Sequence, residues 1–412
     1  AACATAEAAG ALRMDAAVQP RRQAFFERLG WRPVGEVNVA GRPHTAMRWP
    51  IDRVARLVAA TKAPLGGLLA SLHPGGSGWV GDDAAPVPGV DLVAACDAIM
   101  PSMVERDPEW AGWCAVLVNI NDLAAMGAEP VGLLDALGAP TLTAAHRVMT
   151  GLRAAATAYG APILGGHTQI GVPAALAVTA LGHTGHPIPA GGGRPGDRVT
   201  ISADLGGRWR PGYHGRQWDS SSDRTSAELQ ASVGLLSRSR PAAAKDVSMA
   251  GVIGTLGMLA EASGCGAELD VAAVPRPPGA SAGDWLTCFP GFAMISADRP
   301  GHEGVANDRS APVVSGACGT LTTGAGVRLV WPDGERTPAV GPAVTGMGTA
   351  AGALRAEPDA HRPAHLLHPA ARRGGAHPRP GLGAGRPGHR RHRADLGARG
   401  GPFVLPTRRP RR

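Results

Sequence analysis

The chain has 412 residues, of which 44% are hydrophobic, and a formal net charge of +8. This length allows two or three domains with a buried core, and no apolar run reaches the ~18 residues that a membrane-spanning helix needs. The six cysteines are scattered and form no CxxC pair, which excludes a disulfide framework and a zinc site. They fit a reducing compartment, so we expect a cytoplasmic protein.

The positive charge belongs to the C-terminal end of the chain. Residues 355–412 carry 14 arginines and 3 acidic residues, whereas the residues before them have a net charge of −3. The body therefore gives no electrostatic reason to expect nucleic acid as a partner. We assign residues 336–412 to a basic tail without apolar period and expect it to be disordered. We interpret this tail as a disordered native extension or as a wrong-frame translation, and we favour these two explanations over a nucleic-acid-binding arm.

Residues 1–50 form a first block. The stretch "RRQAFFERLGWRPVGEVNVAGRPHTAMRWP" predicts an amphipathic helix that ends at Gly30 and a strand over residues 34–39. Within it, "FFERLGWRPVGE" resembles the last helix and strand of the GNAT acetyltransferases. The resemblance implies a C-terminal remnant of a GNAT-like domain. The glycine-rich segment that cradles acetyl-CoA in those enzymes is absent from this chain, so a working acetyltransferase is not expected.

From residue 52 onward the pattern is typical of mixed α/β architecture. A helix, "IDRVARLVAATKAPLGGLLASL", precedes a glycine-rich break and the strand "VDLVAACDAI". Further on, "AAHRVMTGLRAAATAYG" predicts a helix and "PAALAVTALGHT" a strand. A second unit begins near residue 191 with "GGGRPGDRVTISADLGG", and its helix "SMAGVIGTLGMLAEASG" is closed by Gly264.

Three polar residues interrupt the apolar stretch "GWCAVLVNINDLAAMGAEP", residues 112–130. An unpaired carboxylate buried there would cost several kcal/mol or more. On a helix, Asn119 and Asp122 share a face, and Asn121 lies about 100° round the axis from Asp122. The run "CAVLVNI" also fits a strand, so the geometry stays open at this point.

Four carboxylates stand at the ends of elements or inside them: Asp82, Asp83, Asp97 and Asp122. Singly, each has a structural explanation as a turn residue, a helix cap or a backbone partner. Together, without cysteine, they suit a hard ion such as Mg²⁺, which commonly bridges a few carboxylates to nucleotide phosphates. No Walker-type G-x-x-x-x-G-K-[ST] is present, which argues against a P-loop ATPase.

Five ordered motifs resemble the aminoimidazole ribonucleotide (AIR) synthetase superfamily, which includes thiamine-monophosphate kinase and selenophosphate synthetase. They are "GDDAA", "VAACDAI", "GWCAVLVNINDLAAMGAEPVGLLDAL", "YGAPILGGHT" and "ALAVTALGHT…GGGRPGDRVTISADLGG", and "KDVSMAGVIGTLGMLAEASGCGAELD" continues them. The resemblance spans about residues 52–298. It implies an α/β fold with an N-terminal ATP-binding, dimerising domain at 52–190 and a C-terminal α/β domain at 191–335.

The resemblance also implies a chemistry. ATP binds at a homodimer interface, Mg²⁺ is held by the acidic motifs, and a phosphoryl group is transferred to a small metabolite. Asp82, Asp83, Asp97 and Asp122 would hold Mg-ATP, and Gly165 and Gly166 would let the backbone approach the nucleotide. Asn119 would support nucleotide binding, and Asn121 would act with Asp122 at the reacting centre.

Two departures from the family pattern concern the site. Where the kinase carries "GGDT", this chain has "GGHT", so His167 replaces a carboxylate and is either a site residue or a hydrogen-bonding loop residue. The C-terminal "GG" of the family is Ala250-Gly251 here. The Cys/Lys nucleophile motif of selenophosphate synthetases is absent, which argues against selenium chemistry.

The segment "GGRWRPGYHGRQWDSSSDRT", residues 206–225, is polar and aromatic and lies where family members differ. It is a candidate substrate loop or an interdomain loop without a ligand. Arginine would favour a carboxylate or phosphate. Lys245 either contacts phosphate or pairs with its neighbour Asp246. The candidate substrate residues are Arg208, Arg210, Arg216, Asp219 and Lys245.

Three functions remain open from the sequence. The first is an ATP- and Mg²⁺-dependent kinase, or an ATP-driven cyclo-ligase or dehydratase, that acts on a small metabolite. The second is a non-catalytic nucleotide-binding or partner-binding relative, which the "GGHT" motif favours. The third is an acetyltransferase fusion, which rests on residues 1–50 and needs a catalytic half that this sequence lacks.

Overall fold

The computed structural model describes residues 2–72, 78–213, 216–302 and 310–348. They belong to one compact unit, and residues 349–412 lie outside the described residues. The expectation of disorder for the basic tail falls mostly outside them too. Its proposed start at residue 336 is corrected, because Arg336–Val340 form the last strand of a sheet.

The first block folds into a three-stranded antiparallel sheet with two short helices. The helix predicted to end at Gly30 ends at Arg28, and Gly30 takes a φ of +94° that favours glycine. The predicted strand 34–39 lies inside a longer one, and the sheet order is β1-β3-β2. The elements are α1 (Ala2–Ala8), β1 (Met14–Val18), α2 (Gln23–Arg28), β2 (Arg32–Val39) and β3 (Arg42–Trp49). Two linking helices, α3 (Arg53–Thr61) and α4 (Leu65–Leu69), follow.

The next unit is a five-stranded sheet in the order β4-β5-β8-β6-β7, in which β6 and β7 pair in parallel and the other pairs are antiparallel. Helices cover one face of it. The elements are β4 (Ala85–Pro86), β5 (Leu92–Ile99), α5 (Pro101–Arg106), α6 (Pro108–Ala125), β6 (Glu129–Ala139), α7 (Leu142–Tyr159), β7 (Ile163–Ile170) and β8 (Ala175–His183).

Helix α6 is buried on nearly all sides. It contains the polar trio, and its continuous helical backbone excludes the alternative strand for "CAVLVNI". It packs against α7 at glycines: a Cβ on Gly112 would lie 2.1 Å from the carbonyl oxygen of Val148, and one on Gly151 would lie 1.8 Å from that of Glu109. The two helix backbones therefore approach more closely than side chains would permit.

The third unit is a seven-stranded sheet in the order β12-β15-β9-β16-β13-β17-β18, with the buried helix α10 packed on it. A small sheet, β10-β11-β14, adjoins it. The elements are β9 (Arg198–Ala203), β10 (Arg208–Trp209), β11 (Gln217–Asp219), α8 (Ser226–Val233), α9 (Leu235–Ser239), β12 (Ala243–Asp246), α10 (Gly251–Ala262), β13 (Gly266–Asp270), α11 (Ala282–Thr287), β14 (Phe289–Pro290), β15 (Ala293–Asp298), β16 (Val314–Thr322), β17 (Gly326–Val330) and β18 (Arg336–Val340).

The first block is docked on the third unit by ion pairs. Arg13 and Arg48 contact Glu335 at 2.7 and 2.6 Å, and both also bind Asp15. The Arg13 guanidinium lies 5.4 Å from the ring centre of Trp331. Because these arginines and Asp15 are less than one-third exposed, the cluster is a specific contact between the two units rather than a loose surface pairing.

None of the helices in the described ranges is long and apolar enough to cross a membrane.

Candidate active site

A carboxylate cluster forms where the glycine-rich loop before β4 meets the end of β12. Asp83, Asp122 and Asp246 each offer an oxygen, and these oxygens all lie within 4.8 Å of one another. Asp83 comes from the loop, Asp122 from the last turn and a half of α6, and Asp246 from β12. Three separate segments thus bring acidic groups to one point, and Asp122 and Asp246 are buried.

Lys245 and the backbone of β12 hold Asp83 in place. The Lys245 ammonium donates to one carboxylate oxygen of Asp83 and, at 2.9 Å, to the carbonyl oxygen of Gly81. The backbone N–H of Asp246 donates to the other Asp83 oxygen at 2.8 Å. Lys245 is only 3% exposed. Its first role in this structure is therefore to neutralise and orient a carboxylate of the cluster.

The cluster carries more negative than positive charge, and the pKa values reflect this. Burial raises the pKa of Asp122 well above its ordinary value, and the charges of Asp246, Asp97 and Asp83 raise it further. Burial and then Asp83 raise the pKa of Asp246 in the same way. Burial lowers the pKa of Lys245, but the surrounding carboxylates, Asp83 first, outweigh it and raise the pKa overall. Such a site binds either protons or a cation.

Asp97 lies beside the cluster at the end of β5. Loss of water around its carboxyl raises its pKa; Lys62 lowers that pKa, and Asp83 raises it. The backbone N–H of Asp97 donates to the side-chain oxygen of Asn119 at 3.2 Å, and the Asn119 amide donates to the carbonyl oxygen of Ala115 at 2.8 Å. Asn119 thus joins β5 to α6 and fixes where Asp97 stands.

Asn121 and Asp82 make contacts between the sheets. The Asn121 amide donates to the carbonyl oxygen of Gly291 at 3.1 Å, whereas its own oxygen is buried without a hydrogen bond in the described structure. An Asp82 oxygen accepts from the backbone N–H of Ala190. Both side chains are predicted to serve the nucleotide. In the structure, each uses a polar atom for a hydrogen bond to backbone outside the five-stranded sheet and its helices.

A row of residues on one face of the five-stranded sheet extends away from Asp97. In the pairing register, Asp97 is opposite Val178, Val178 is opposite Asp135, and Asp135 is opposite Gly166. Directly paired residues lie on the same face of a sheet. An oxygen of Asp135 is buried without a hydrogen bond, and burial raises the pKa of this carboxyl. A Cβ on Gly166 would lie 2.2 Å from the other Asp135 oxygen, so only glycine fits there.

His167 lies on the opposite face, which corrects its predicted position. It is paired with Ala136, which is paired with Ala177, in the row next to that of Asp97 and Asp135. Because successive residues of a strand point to opposite faces, the His167 side chain leaves the sheet away from the carboxylates of its own chain. The substitution of "GGHT" for "GGDT" therefore does not put an imidazole beside this cluster within one chain.

The candidate substrate loop is engaged with protein side chains. Arg210 contacts Asp107 at 2.9 Å and Asp219 at 3.6 Å, and its guanidinium stacks 4.5 Å from the ring centre of Trp110. Arg208 pairs with Asp223 at 2.5 Å.

Within the same loop, Asp219 also accepts from the backbone of Ser221 and Ser222, and Arg216 offers its carbonyl to the N–H of Phe289 at 2.8 Å. The substrate role of these four residues stays a prediction. In the structure, Arg210 attaches the loop to the start of α6 and Arg216 attaches it to β14.

Three residues at the site were not predicted from the sequence: Asp246, Asp135 and Lys62. Asp246 had a signal, because it follows Lys245 and opens the segment "KDVSMAG". Asp135 had a weaker one, as the lone charge inside the apolar strand "VGLLDALGA". Lys62 had only its rarity, because the chain contains two lysines and many arginines.

Comparison with known proteins agrees with this architecture. Residues 81–184 match the family described as "AIR synthase related protein, N-terminal domain", and residues 219–299 match "AIR synthase related protein, C-terminal domain". An uncharacterized protein of Synechocystis is 34% identical over 280 residues, which cover 64% of this chain and 86% of that protein. This chain belongs to the AIR synthase-related family. The superfamily resemblance of the sequence is confirmed.

Relatives that are named for an activity match a smaller part of this AIR synthase-related chain. Thiamine-monophosphate kinase of Caulobacter vibrioides is 31% identical, and the match covers 50% of this chain and 62% of the kinase. AaThiL, complexed with AMPPCP and TMP, has a TM-score of 0.53 at 20% identity and covers 67% of this chain and 94% of its own.

The T. maritima protein PurL complexed with ATP has a TM-score of 0.52 at 16% identity and covers 65% of this chain and 46% of its own. These two structures show the fold, and the predicted two-domain AIR-synthetase-like fold is confirmed.

Proposed function

We propose that this protein is an ATP- and Mg²⁺-dependent phosphoryl-transfer enzyme that acts on a small metabolite, as a kinase or as an ATP-driven cyclo-ligase or dehydratase. One observation carries the proposal: Asp83, Asp122 and Asp246 bring three carboxylate oxygens within 4.8 Å of one another inside the protein. The family supports it, because solved relatives of the same fold are complexed with ATP or with AMPPCP.

The donor set fits Mg²⁺. Hard cations take oxygen ligands, and Mg²⁺ is usually held by one or two carboxylates together with substrate phosphates. The described part of the chain offers no cysteine or histidine in this cluster, which argues against a soft metal. Asp83, Asp122 and Asp246 would hold the ion, with Asp97 at the side of the cluster. When bound, the ion would neutralise charge on the transferring phosphoryl group.

The chain's own residues have distinct tasks in this proposal. Lys245 orients Asp83 through its ammonium, and Asn119 holds β5 against α6 so that Asp97 stays beside the cluster. The carboxyl of Asp135, with its unpartnered oxygen and raised pKa, is suited to hold or accept a proton from a substrate group on the same sheet face. The approach of nucleotide to Gly165 and Gly166 remains a family-based part of the proposal.

A homodimer through the uncovered face of the five-stranded sheet forms part of the proposal. All residues of β7 are exposed in the single chain. On this face, Leu134 and Leu164 are 40% and 55% exposed. Apolar surface of this kind is typical of an interface. His167 lies on this face, so a partner chain would bring it close to the second copy.

Calorimetry with Mg-ATP tests the proposal. We expect wild-type protein to bind Mg-ATP and Asp122→Asn to weaken binding by at least about tenfold, since it removes a metal-binding oxygen. Asp91→Asn, at an exposed position before β5, is the matched control and should leave binding unchanged. Wild-type protein that binds no Mg-ATP would contradict the proposal. Binding that Asp122→Asn leaves intact would contradict the site.

A non-catalytic nucleotide-binding relative is the second candidate, favoured by the place of His167 on the face away from the carboxylates. Release of ADP when a metabolite library is added to protein and Mg-ATP separates the two. We expect release with at least one metabolite. Binding without release from any of them would favour the second candidate.

The GNAT-like origin of the first block stays a separate proposal. Its support is the sequence resemblance and the order of helix α2 and strand β2, which agree with it. Acetyl-CoA binding by the purified protein would support an acetyl-transfer role, and an absence of binding would leave the block as a docking element on the third unit.

A further inference from the structure

Lys62 comes from a different part of the chain, yet its ammonium lies 3.5 Å from the hydroxyl of Ser248, two residues after Asp246 of the carboxylate cluster. It directly follows α3, which lies before the residues that match the AIR synthase-related domains. Val54 and Val58 of this helix are buried in the apolar core of the third unit. The helix is therefore packed firmly enough to fix the position at which the Lys62 stem begins.

The charged groups that act on Lys62 are those of the site. Burial lowers the pKa of Lys62 and the positive charge of Lys245 lowers it further, while Asp246, Asp97 and Asp83 oppose this. Among the contacts described for Lys62, its ammonium donates to the hydroxyl of Ser248 at 3.5 Å, which is long for a hydrogen bond. An ammonium has three donors, so Lys62 retains donor capacity beyond its contact with Ser248.

The two lysines at the site are held differently. Lys245 is nearly completely buried and donates to Asp83 and to Gly81. Lys62 is half-buried, and within the described residues its ammonium makes a long contact with a neutral hydroxyl. A lysine is a compact point charge on a flexible stem, which suits contact with a phosphate oxygen that arrives with a ligand. The chain contains no other lysine.

We propose that Lys62 is a ligand-binding residue of this site and that its ammonium contacts a phosphate oxygen of the anion held there. The inference rests on the proposed function, because it takes the site to bind a phosphate-bearing ligand. The phosphate belongs either to the nucleotide or to the molecule with which the nucleotide reacts. The segment of α3, which lies before the matched domains, then contributes directly to the site through Lys62.

The contacts of α3 explain why this helix can present a ligand-binding residue. Arg53, at its start, pairs with Asp284 of α11 at 2.7 Å. At the other end, the chain after Lys62 is attached by the backbone N–H of Gly66, which donates to the carbonyl oxygen of Thr345 at 2.7 Å. Contacts on both sides of Lys62 reduce the conformational entropy that ligand binding must otherwise overcome.

Calorimetry on wild-type protein, Lys62→Gln and Lys62→Met, with Mg-ATP, Mg-ADP and inorganic phosphate, tests the inference. Inorganic phosphate is titrated in two experiments: into protein with Mg²⁺ but no nucleotide, and into the complex of the protein with Mg-ADP. Arg56→Gln is the matched control, since Arg56 is on the same helix, is 62% exposed and has only surface ion pairs. We expect Lys62→Gln to weaken at least one of these anions by about 10- to 100-fold and the control to change each less than twofold. Lys62→Met keeps an aliphatic stem and serves if Lys62→Gln does not fold.

The set of anions whose binding is weakened identifies which phosphate Lys62 contacts. Weaker Mg-ATP with unchanged Mg-ADP assigns Lys62 to the terminal phosphate, and equal weakening of both assigns it to an inner phosphate. A loss confined to inorganic phosphate in the Mg-ADP complex assigns it to the reacting partner. All anions within twofold of wild type would overturn the inference. If wild-type protein binds no nucleotide, the proposed function fails, and the titration of inorganic phosphate with Mg²⁺ alone then tests Lys62. Phosphate binding that is lost in Lys62→Gln would support the inference. An absence of phosphate binding in wild-type protein would overturn the inference.

Discussion

The buried carboxyl of Asp122 joins stability and function in one group. It is 7% exposed and has three other carboxylates near it, so its ionised form is disfavoured in the protein without a metal ion. In the unfolded chain the same carboxyl titrates near its ordinary value of 3.8. The native state therefore keeps a proton that the unfolded chain releases above about pH 4. This difference makes stability fall as pH rises from about 4 toward the raised native pKa.

Replacing Asp122 by Asn should stabilise the protein in metal-free buffer. The amide has nearly the same shape and no charge, so at pH 8 we expect the free energy of unfolding to rise by about 1–3 kcal/mol. The gain should be smaller at pH 5, because a lower pH favours the protonated, uncharged form of the wild-type carboxyl. Urea denaturation at both pH values measures it. A variant less stable than wild type at pH 8 without metal would contradict this account.

Mg²⁺ should stabilise wild-type protein and have little effect on Asp122→Asn. An ion that binds only the native state raises the unfolding temperature in proportion to the logarithm of its concentration. Thermal unfolding across a Mg²⁺ series is the measurement, with Asp91→Asn as a control that should respond like wild type. An equal response of Asp122→Asn and wild type would place the ion elsewhere.

At the scale of elements, the contact of α6 with α7 determines where Asp122 stands. Gly112 and Gly151 allow a backbone-to-backbone approach between the two helices, and Asn119 joins α6 to β5. These contacts fix the axis of α6 and, with it, the last turns that carry the polar trio. The sequence indicates a helix here through its length and apolar character, but it does not indicate which residues meet the neighbouring helix.

Gly151→Ala should destabilise the protein strongly. The added Cβ would lie 1.8 Å from the carbonyl oxygen of Glu109, so the helices must move apart, and overpacking of this kind costs about 1–3 kcal/mol or more. Chemical denaturation measures the loss. Gly185→Ala is the control, because nothing lies within 4 Å of its new Cβ. An unchanged stability in Gly151→Ala would show that the helices can separate without cost.

At the scale of the whole molecule, the first block contacts another unit of the chain, whereas the uncovered face of the five-stranded sheet is exposed. The first block is attached to the third unit through Arg13, Arg48 and Glu335. The uncovered face carries the exposed side chains of Leu134 and Leu164. Large exposed apolar side chains that lie side by side are typical of an interaction surface.

Leu164→Glu should weaken self-association. Leu164 is 55% exposed on β7, and a charge at the centre of an apolar interface is costly to bury. Sedimentation equilibrium should show a dimer for wild type and a shift toward monomer for the variant. Leu68→Glu, which changes a 71% exposed leucine on α4, is the control and should remain dimeric. A monomeric wild type would contradict the dimer proposal.

The order of the acidic and glycine motifs, read along the chain, was enough to predict the superfamily, the two-domain fold and the carboxylates Asp83 and Asp122. Those predictions depend on local residue types and their spacing, which can be read directly from the sequence. The partners of the same residues depend on contacts between segments far apart in the chain. Asp246 reaches Asp83 from more than 160 positions away, and Asn121 meets Gly291 across 170 positions.

Only the tertiary structure decided which predicted residues share the site. Strand register put His167 on one face of its sheet and Asp97 with Asp135 on the other, and a shift of one residue would reverse those faces. Packing of α3 brought Lys62 to the carboxylates. The sequence alone determined that acidic residues are present in the ordered motifs of the AIR synthetase superfamily. Register and helix packing, which arise from long-range burial, determined which of them meet.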